Sequence, residues 1–518
     1  MKDSSMPHEP QRRERQITFW ESDGRIVPLK PVPQTGGSKR GNSRAGKAAK
    51  LTRDSVRPST AHSGRPSVLA RLNRITYRAE REPTLTFNNL YTLLNIELLR
   101  QAFWQLQRGK APGVDGQTVD DYEAKLEANL QVLATRLHRQ SYRPQPSLRR
   151  DIPKGNGKTR PLGIACVEDK IVQRAVVMIL ERIYEVDFCD TSFGFRPDRS
   201  CHEALSVLGD LIATRKVNWI SDADIKGFFD NVDHRQLIEL LKIRIADPRM
   251  LWLIERFLYA GVMIEGQRHD TDSGVPQGSV LSPLLANVYL HYVLDRWFEH
   301  DVKPRLRGEA YIIRYADDFI CAFELEQDAR RFQEVLPKRL GRYSLELAED
   351  KTKLLRFGRF AHRDSTRLGE GAPGTFDFLG FTHYCGTSRA GKFKLKRKTS
   401  TKKLRTKFQA LKDWFRSKLT EPTAEVWQTL QAKLTGHYQY YNINDNWRWI
   451  MKYREAARRM GMRWLRRRSQ NSQVTWESYS NYQRAHPLPN PDRIMDLIAL
   501  ARRICDNVKR SSQIQWLF

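Results

Sequence analysis

No run in this 518-residue chain approaches the roughly 18–20 consecutive apolar residues of a membrane span, and no signal-peptide pattern opens it. A helical membrane span is excluded on that ground; the expectation is a soluble intracellular protein with no membrane partner. Cysteine is equally thin. Cys166, Cys189, Cys201, Cys321, Cys385 and Cys505 are scattered, with no C-x-x-C pair and no Cys/His cluster at zinc spacing. Neither a zinc module nor a disulfide scaffold fits, so the thiols are expected to be reduced and structural. Acid is the third shortage: 59 Asp plus Glu face 89 Lys plus Arg, a net charge of +30. That excess calls for a polyanionic partner, and nucleic acid is the default.

The length predicts two to four domains rather than one core. Residues 1–65 are rich in Ser, Pro, Gly, Lys and Arg and lack apolar periodicity, so they are expected to form a basic, disordered arm. From residue 85 the pattern turns helical: Tyr91, Leu94, Leu98 and Ala102 share a stripe, and "YEAKLEANLQVLATRLHRQSY" predicts a second amphipathic helix. Between 150 and 385 short β-rich runs such as "WISDADI", "AYIIRYADDFICAF" and "TKLLRFG" mix with helices, as in an α+β domain. Three helix starts are legible there. Ser200 and Glu203 make a capping box, Ser282 is the expected N-cap ahead of Pro283, and "QDARRFQEVLPKRL" is expected to bend or end at Pro337. Residues 389–470 are helical in pattern and carry 23 Lys/Arg against 5 acids, interleaved with Trp and Tyr. Such a mixture suits phosphate neutralisation together with base stacking.

Within "RYADDFICAF" two adjacent acids, Asp317 and Asp318, interrupt an apolar hairpin. Burying like charges side by side costs several kcal/mol unless a cation neutralises them. A hard divalent ion does this, and Mg²⁺ favours one or two carboxylates plus substrate phosphates. A further acid from "SDADIKGFFDNVDH" would complete a two-metal cluster; Asp222, Asp224, Asp230 and Asp233 are all candidates on sequence. "IPKGNGKTRPLGI" reads as a basic hairpin presenting Lys154, Lys158 and Arg160.

The ordered blocks "GKAPGVDG", "IPKGNGKTRPLGI", "SFGFRPDRS", "DADIKGFFDNVDH", "GVPQGSVLSPLLANVYL", "RYADDF", "EDKTKLLRFG" and "FDFLGF" resemble the successive motifs of a group II intron reverse transcriptase/maturase. The resemblance runs from about residue 85 to about 494. It implies an α+β right-hand polymerase: a helical N-terminal extension over 85–148 closing at Tyr142-Arg143-Pro144, fingers and palm over 149–385, a thumb/maturase region over 386–494 and a short helical tail over 495–518. It implies Asp224 and Asp317 as principal ligands of two Mg²⁺ ions, with Asp318 and the carbonyl of Ile225 completing the set. Asp222, Asp230 and Asp233 then become supporting or surface acids. Phe229 falls where the family keeps a steric gate against a 2′-hydroxyl. Lys154 and Arg160, with Lys158 a rival, would face the triphosphate, Gln277 would line the nucleotide pocket, and Lys351 would protonate pyrophosphate. Arg196, Arg199, Phe378 and Leu379 would contact template or primer.

The implied activity is RNA-directed DNA synthesis from dNTPs on an RNA template with a DNA or RNA primer. Binding of a group II intron RNA to promote splicing and retrohoming goes with it. A bacterial, cytoplasmic setting follows, nucleoid-associated when engaged with DNA. The chain departs from many relatives in showing no H-N-H endonuclease pattern after "HPLPNP". A primer taken from elsewhere, for instance a replication fork, is therefore expected. Two alternatives compete: a free-standing, domesticated reverse transcriptase in DNA repair or phage defence, and a non-catalytic splicing cofactor.

Overall fold

Val68, Leu72, Ile75 and Ala79 recur every three or four residues and bury one face of a helix, Val68–Arg81, capped by the Ser67 hydroxyl accepting from Ala70 N–H. It lies ahead of the first helix expected from sequence. The computed structural model describes residues 67–154, 158–468, 474–492 and 494–504. The expected basic arm over 1–65 lies outside the described residues.

Three more helical segments follow, Ile96–Trp104, Val119–Glu123 and Leu126–His138. The last two replace the single helix expected over this stretch. A Thr118–Asp121 capping box starts the first of them afresh, and Ala124 and Lys125 separate it from the second. Helices Val68–Arg81 and Ile96–Trp104 pack on Val167–Asp187, which is buried over most of its length.

Two four-stranded sheets follow that helical layer. In the first, Ser147–Lys154 and Lys158–Ile164 form the expected antiparallel hairpin, whose last pair is Lys154 with Lys158. Ser147 and Leu148 also pair in parallel with Val262 and Met263. The second sheet is antiparallel throughout, in the order Lys353–Arg356, Trp219–Ala223, Asp318–Phe323, Ala310–Tyr315.

Both faces of this central sheet are covered, which is why its strands read as near-continuous apolar runs. Ile312, Phe319, Cys321 and Phe323 belong to one core, with Phe332 and Leu336 of helix Glu326–Gly341. Ile220, Ile313, Ile320 and Ala322 belong to a second, with helix Cys201–Thr214. The capping box expected at Ser200 and Glu203 is present on that helix. By the two-residue period of a strand, Asp222 and Asp318 share the face of Ile220 and Ile320.

Two helices here differ from expectation. Helix Ser282–Leu290 has Leu281 at its N-cap, with Ser282 already in the first turn. Glu326–Gly341 runs through Pro337 without ending, because burial of Phe332, Leu336 and Leu340 outweighs one lost backbone hydrogen bond. After the hairpin Phe376–Phe378 and Phe381–Thr387 and the strand Phe393–Thr399, the helices Thr401–Ser417, Thr423–Tyr441, Trp447–Arg467 and Trp476–Ala485 complete the second core.

Candidate active site

Asp224 leaves the strand Trp219–Ala223, and its carbonyl accepts from Ala348 N–H at 2.8 Å. Its neighbour Ile225 is buried and pairs with Leu347. The adjacent strands Ala310–Tyr315 and Asp318–Phe323 are joined by a two-residue turn, Ala316-Asp317, so the paired acids sit beside the end of the Asp224 strand.

That turn is held from beneath by Arg314, which opens the "RYADDF" block but has no expected role on sequence. Arg314 is fully buried; its guanidinium grips Asp295 in a bidentate pair at 2.8 and 2.6 Å. It also donates to Asn287 Oδ1 at 3.0 Å, Ser192 Oγ at 2.7 Å and the Ala316 carbonyl at 2.9 Å. Ala316 is left-handed, φ 57°, and a Cβ on Gly194 would collide with its backbone nitrogen. The Asp317 turn is thus over-determined by a charge pair and a close backbone approach.

The acids repel one another. Burial, and then the nearby Asp224, raises the Asp317 carboxyl, while Arg160 and Arg314 pull it back down. Asp318 keeps exposed surface but is crowded by protein on most sides. That enclosure, then Asp317, Asp224 and Asp222, pushes it up to about 7. Burial and then Asp377 push Asp222 to about 7 as well. The Lys351 ammonium contacts the Asp224 carboxylate.

The donor chemistry fits a hard divalent cation, since these are oxygen ligands that resist sharing negative charge. Among the described residues, however, no three His, Cys, Asp or Glu side chains are gathered closely enough to hold a metal ion.

On the substrate side Arg160 Nε donates to Gln277 Oε1 at 2.7 Å, and the Gln277 amide donates to Asp230 Oδ1 at 3.2 Å. A guanidinium can only donate and a carboxylate only accept, so the amide orientation is chemically fixed. Gly278, φ 108°, lies where a Cβ would approach the Gly163 carbonyl to 2.6 Å, which locks this loop onto the hairpin. Lys154 closes that hairpin in backbone register; its side chain and that of Lys158 lie outside the described residues. Phe229 is half-buried, edge-to-face with buried Phe228 at 5.3 Å. Asp233 serves as an N-cap, accepting from Gln236 N–H at 2.8 Å.

Two of the expected nucleic-acid contacts lie inside the protein. Arg196 is buried, ion-paired with Glu185 at 3.0 Å and donating to the Cys189 and Ser192 carbonyls, so its donors face protein. Phe378 is core, 4% exposed. Arg199 keeps an exposed edge while pairing with Asp190 at 2.9 Å. Leu379 is left-handed, φ 49°, and its carbonyl accepts from the Tyr440 hydroxyl at 2.9 Å.

Residues 152–383 match the family described as reverse transcriptase (RNA-dependent DNA polymerase), and this span contains every acid above. The chain is similar to the group II intron-encoded protein LtrA of Lactococcus lactis subsp. cremoris, 37% identical over 305 residues, 57% of this chain and 51% of that protein. Protein YkfC of Escherichia coli is 35% identical over 319 residues, 53% of this chain and 81% of that protein. The chain belongs to the group II intron reverse transcriptase family. It spans about half the length of the first curated relatives it matches. A shorter stretch, 182 residues at 30% identity, is similar to nuclear intron maturase 2, mitochondrial, of Arabidopsis thaliana; it covers 27% of this chain and 24% of that protein. For this reverse transcriptase family member, Arg314 is the site residue that sequence pattern left out. An arginine inside an apolar strand was the available signal, because a buried guanidinium needs a partner.

Proposed function

We propose that the chain is an RNA-directed DNA polymerase that extends a DNA or RNA primer on an RNA template, and that it binds a group II intron RNA as a maturase. The carrying observation is the placement of Asp317 in the hairpin turn and Asp318 at the head of the following strand, next to the strand that delivers Asp224. In this reading the central sheet is the palm, the hairpin Ser147–Lys154/Lys158–Ile164 belongs to the fingers, and the helices from Thr401 onward are the thumb. The helices between 85 and 148 are the N-terminal extension.

Asp224 and Asp317, with Asp318 and the Ile225 carbonyl, would hold two Mg²⁺ ions, which supply a lowered hydroxyl pKa and neutralisation of the leaving pyrophosphate. The chain's own groups do the rest. Arg160, with its Nε on Gln277, keeps both η nitrogens for phosphate oxygens, and a guanidinium grips these in bidentate fashion. Lys351 carries the proton at Nζ that pyrophosphate would take. Phe229 offers a rigid apolar edge where a 2′-hydroxyl would sit, and a hydroxyl pressed there loses its water without gaining a partner.

The maturase half is supported by the relatives' names and by the basic, aromatic region over 389–470. Replacing Asp317 with Ala is expected to abolish cDNA synthesis on a primed RNA template and to leave RNA binding unchanged. Retained synthesis refutes the site. Splicing of the intron RNA with and without protein tests the maturase half, and identical rates refute it.

A further inference from the structure

Phe195 combines three properties that seldom coincide. Its φ is +59°, a left-handed conformation that is unfavourable for a bulky side chain. Its ring is 43% exposed. Yet its backbone is fixed on both sides. Phe193 is buried and donates its N–H to the Arg314 carbonyl at 2.9 Å, Gly194 is pressed against the Ala316 turn, and Arg196 is buried in its pair with Glu185. A strained, exposed aromatic on so rigid a mount is held there at a cost to stability, which points to a role outside folding.

The ring meets Phe229 edge-to-face, centroids 6.2 Å apart and planes at 82°. Phe229 therefore stands between buried Phe228 at 5.3 Å and exposed Phe195. Phe228 is in turn packed near Tyr289 at 6.4 Å, so one side of the gate ring is core and immobile. The other side has Phe195 as its aromatic neighbour. Because Gly194, the residue before Phe195, is pressed against the Ala316 backbone, this brace is also tied to the turn that carries Asp317.

We infer that Phe195 is a positioning residue for sugar discrimination: its ring braces Phe229 so that the gate cannot swing aside to admit a ribonucleotide. The inference rests on the polymerase reading above. Without the brace, Phe229 gains a rotamer and the penalty on a 2′-hydroxyl falls, while deoxynucleotide use changes little.

The test uses the full chain on a primed RNA template, with single-nucleotide incorporation measured for a dNTP and the matching rNTP. Phe195→Asn is the informative variant, since Asn tolerates a left-handed φ and removes the ring. The expected result is a thermal midpoint equal to or above that of the unaltered chain, with relative rNTP use raised about two- to tenfold, the range one aromatic contact supplies. Phe195→Leu, which keeps bulk without a flat edge, is expected to lie between. In a Phe229→Val background, Phe195→Asn should add nothing further, because neighbours that act through one another are not additive. An unchanged rNTP/dNTP ratio, an equal loss with both nucleotides, or full additivity with Phe229→Val overturns the inference. Weakened RNA template binding at an unchanged ratio overturns it too, in favour of base stacking. A chain making no cDNA at all, with Phe195 intact, overturns the polymerase reading and the brace with it.

Discussion

Arg314 and Arg196 both lie in motifs that look made for nucleic acid, and both turn inward. Arg314 and Asp295 are 0% and 1% exposed along their side chains, so removing one partner leaves the other charged and unsatisfied. Replacing Arg314 with Leu is expected to cost about 3–5 kcal/mol of stability, the usual penalty for orphaning a buried charge. A loss under about 1 kcal/mol in denaturant titration would show that Asp295 finds other donors. Replacing Arg314 with Leu and Asp295 with Asn together should recover part of the loss, as the two changes share one interaction. Charge type was legible in the sequence, but direction was not. Arg196 and Arg199 stand three apart in one loop; only the half-buried Glu185 and the Cys189 and Ser192 carbonyls, all accepting from Arg196, tell them apart. The paired acids were legible only in company: alone they read as a solvent-facing turn, and the acids of "SDADIKGFFDNVDH" turned them into a metal-site candidate. Asp224 could be chosen from four acids only by resemblance, and its place at the end of the strand beside the Asp317 turn is what geometry added.

Elements were read best where one physical signal acted alone. The capping box at Ser200 needed four residues of sequence and nothing else. Helix Val68–Arg81 has an equally regular stripe, but it adjoins the Arg- and Ser-rich arm, and composition masked the period. Pro337 is the reverse case, a strong local breaker overruled by burial of its neighbours. Replacing Pro337 with Ala is accordingly expected to stabilise the protein by about 1–3 kcal/mol, since it restores an N–H and removes a ring clash. An unchanged thermal midpoint would mean that the helix already relaxes around the ring. The π-helical stretch His291–Asp295 carries a different liability. His291 is buried, and that burial pushes its pKa from 6.5 to about 4, with Asp295 opposing and Arg314 adding to the shift. The unfolded chain therefore binds a proton near pH 6.5 that the folded chain refuses until about pH 4, so stability from this group is lost as pH falls across that window. Comparing unfolding free energies of the unaltered chain and His291→Leu between pH 7 and about pH 4.5 isolates it. The difference should shift towards the variant on acidification, and parallel curves would refute the assignment.

At the scale of the molecule, the net charge of +30 is distributed by the fold rather than spread evenly. Residues 389–470 hold a surplus of 18 positive charges, on the strand Phe393–Thr399 and on helices whose apolar faces fill the second core. Leu404, Leu411 and Phe415 turn inward from helix Thr401–Ser417, while Arg405 and Lys412, seven residues apart on one stripe, are exposed. Core formation therefore leaves Arg405 and Lys412 on the outer surface. If RNA lies along that surface, binding releases counterions, and affinity must fall linearly with salt on logarithmic axes. Raising monovalent salt from about 50 to about 200 mM should weaken binding of intron RNA by about a hundred- to thousandfold, as for roughly six neutralised phosphates. Replacing Arg405 and Lys412 with Gln should flatten the salt slope by about 0.7 for each phosphate left without its cation, whatever the RNA sequence. Asp317→Ala should leave the slope untouched, because its carboxylate belongs to the chemistry and not to the grip. A slope unmoved by the double substitution would place the RNA on another face of the C-terminal helices, and the same titration repeated at Arg448 and Lys452 would locate it.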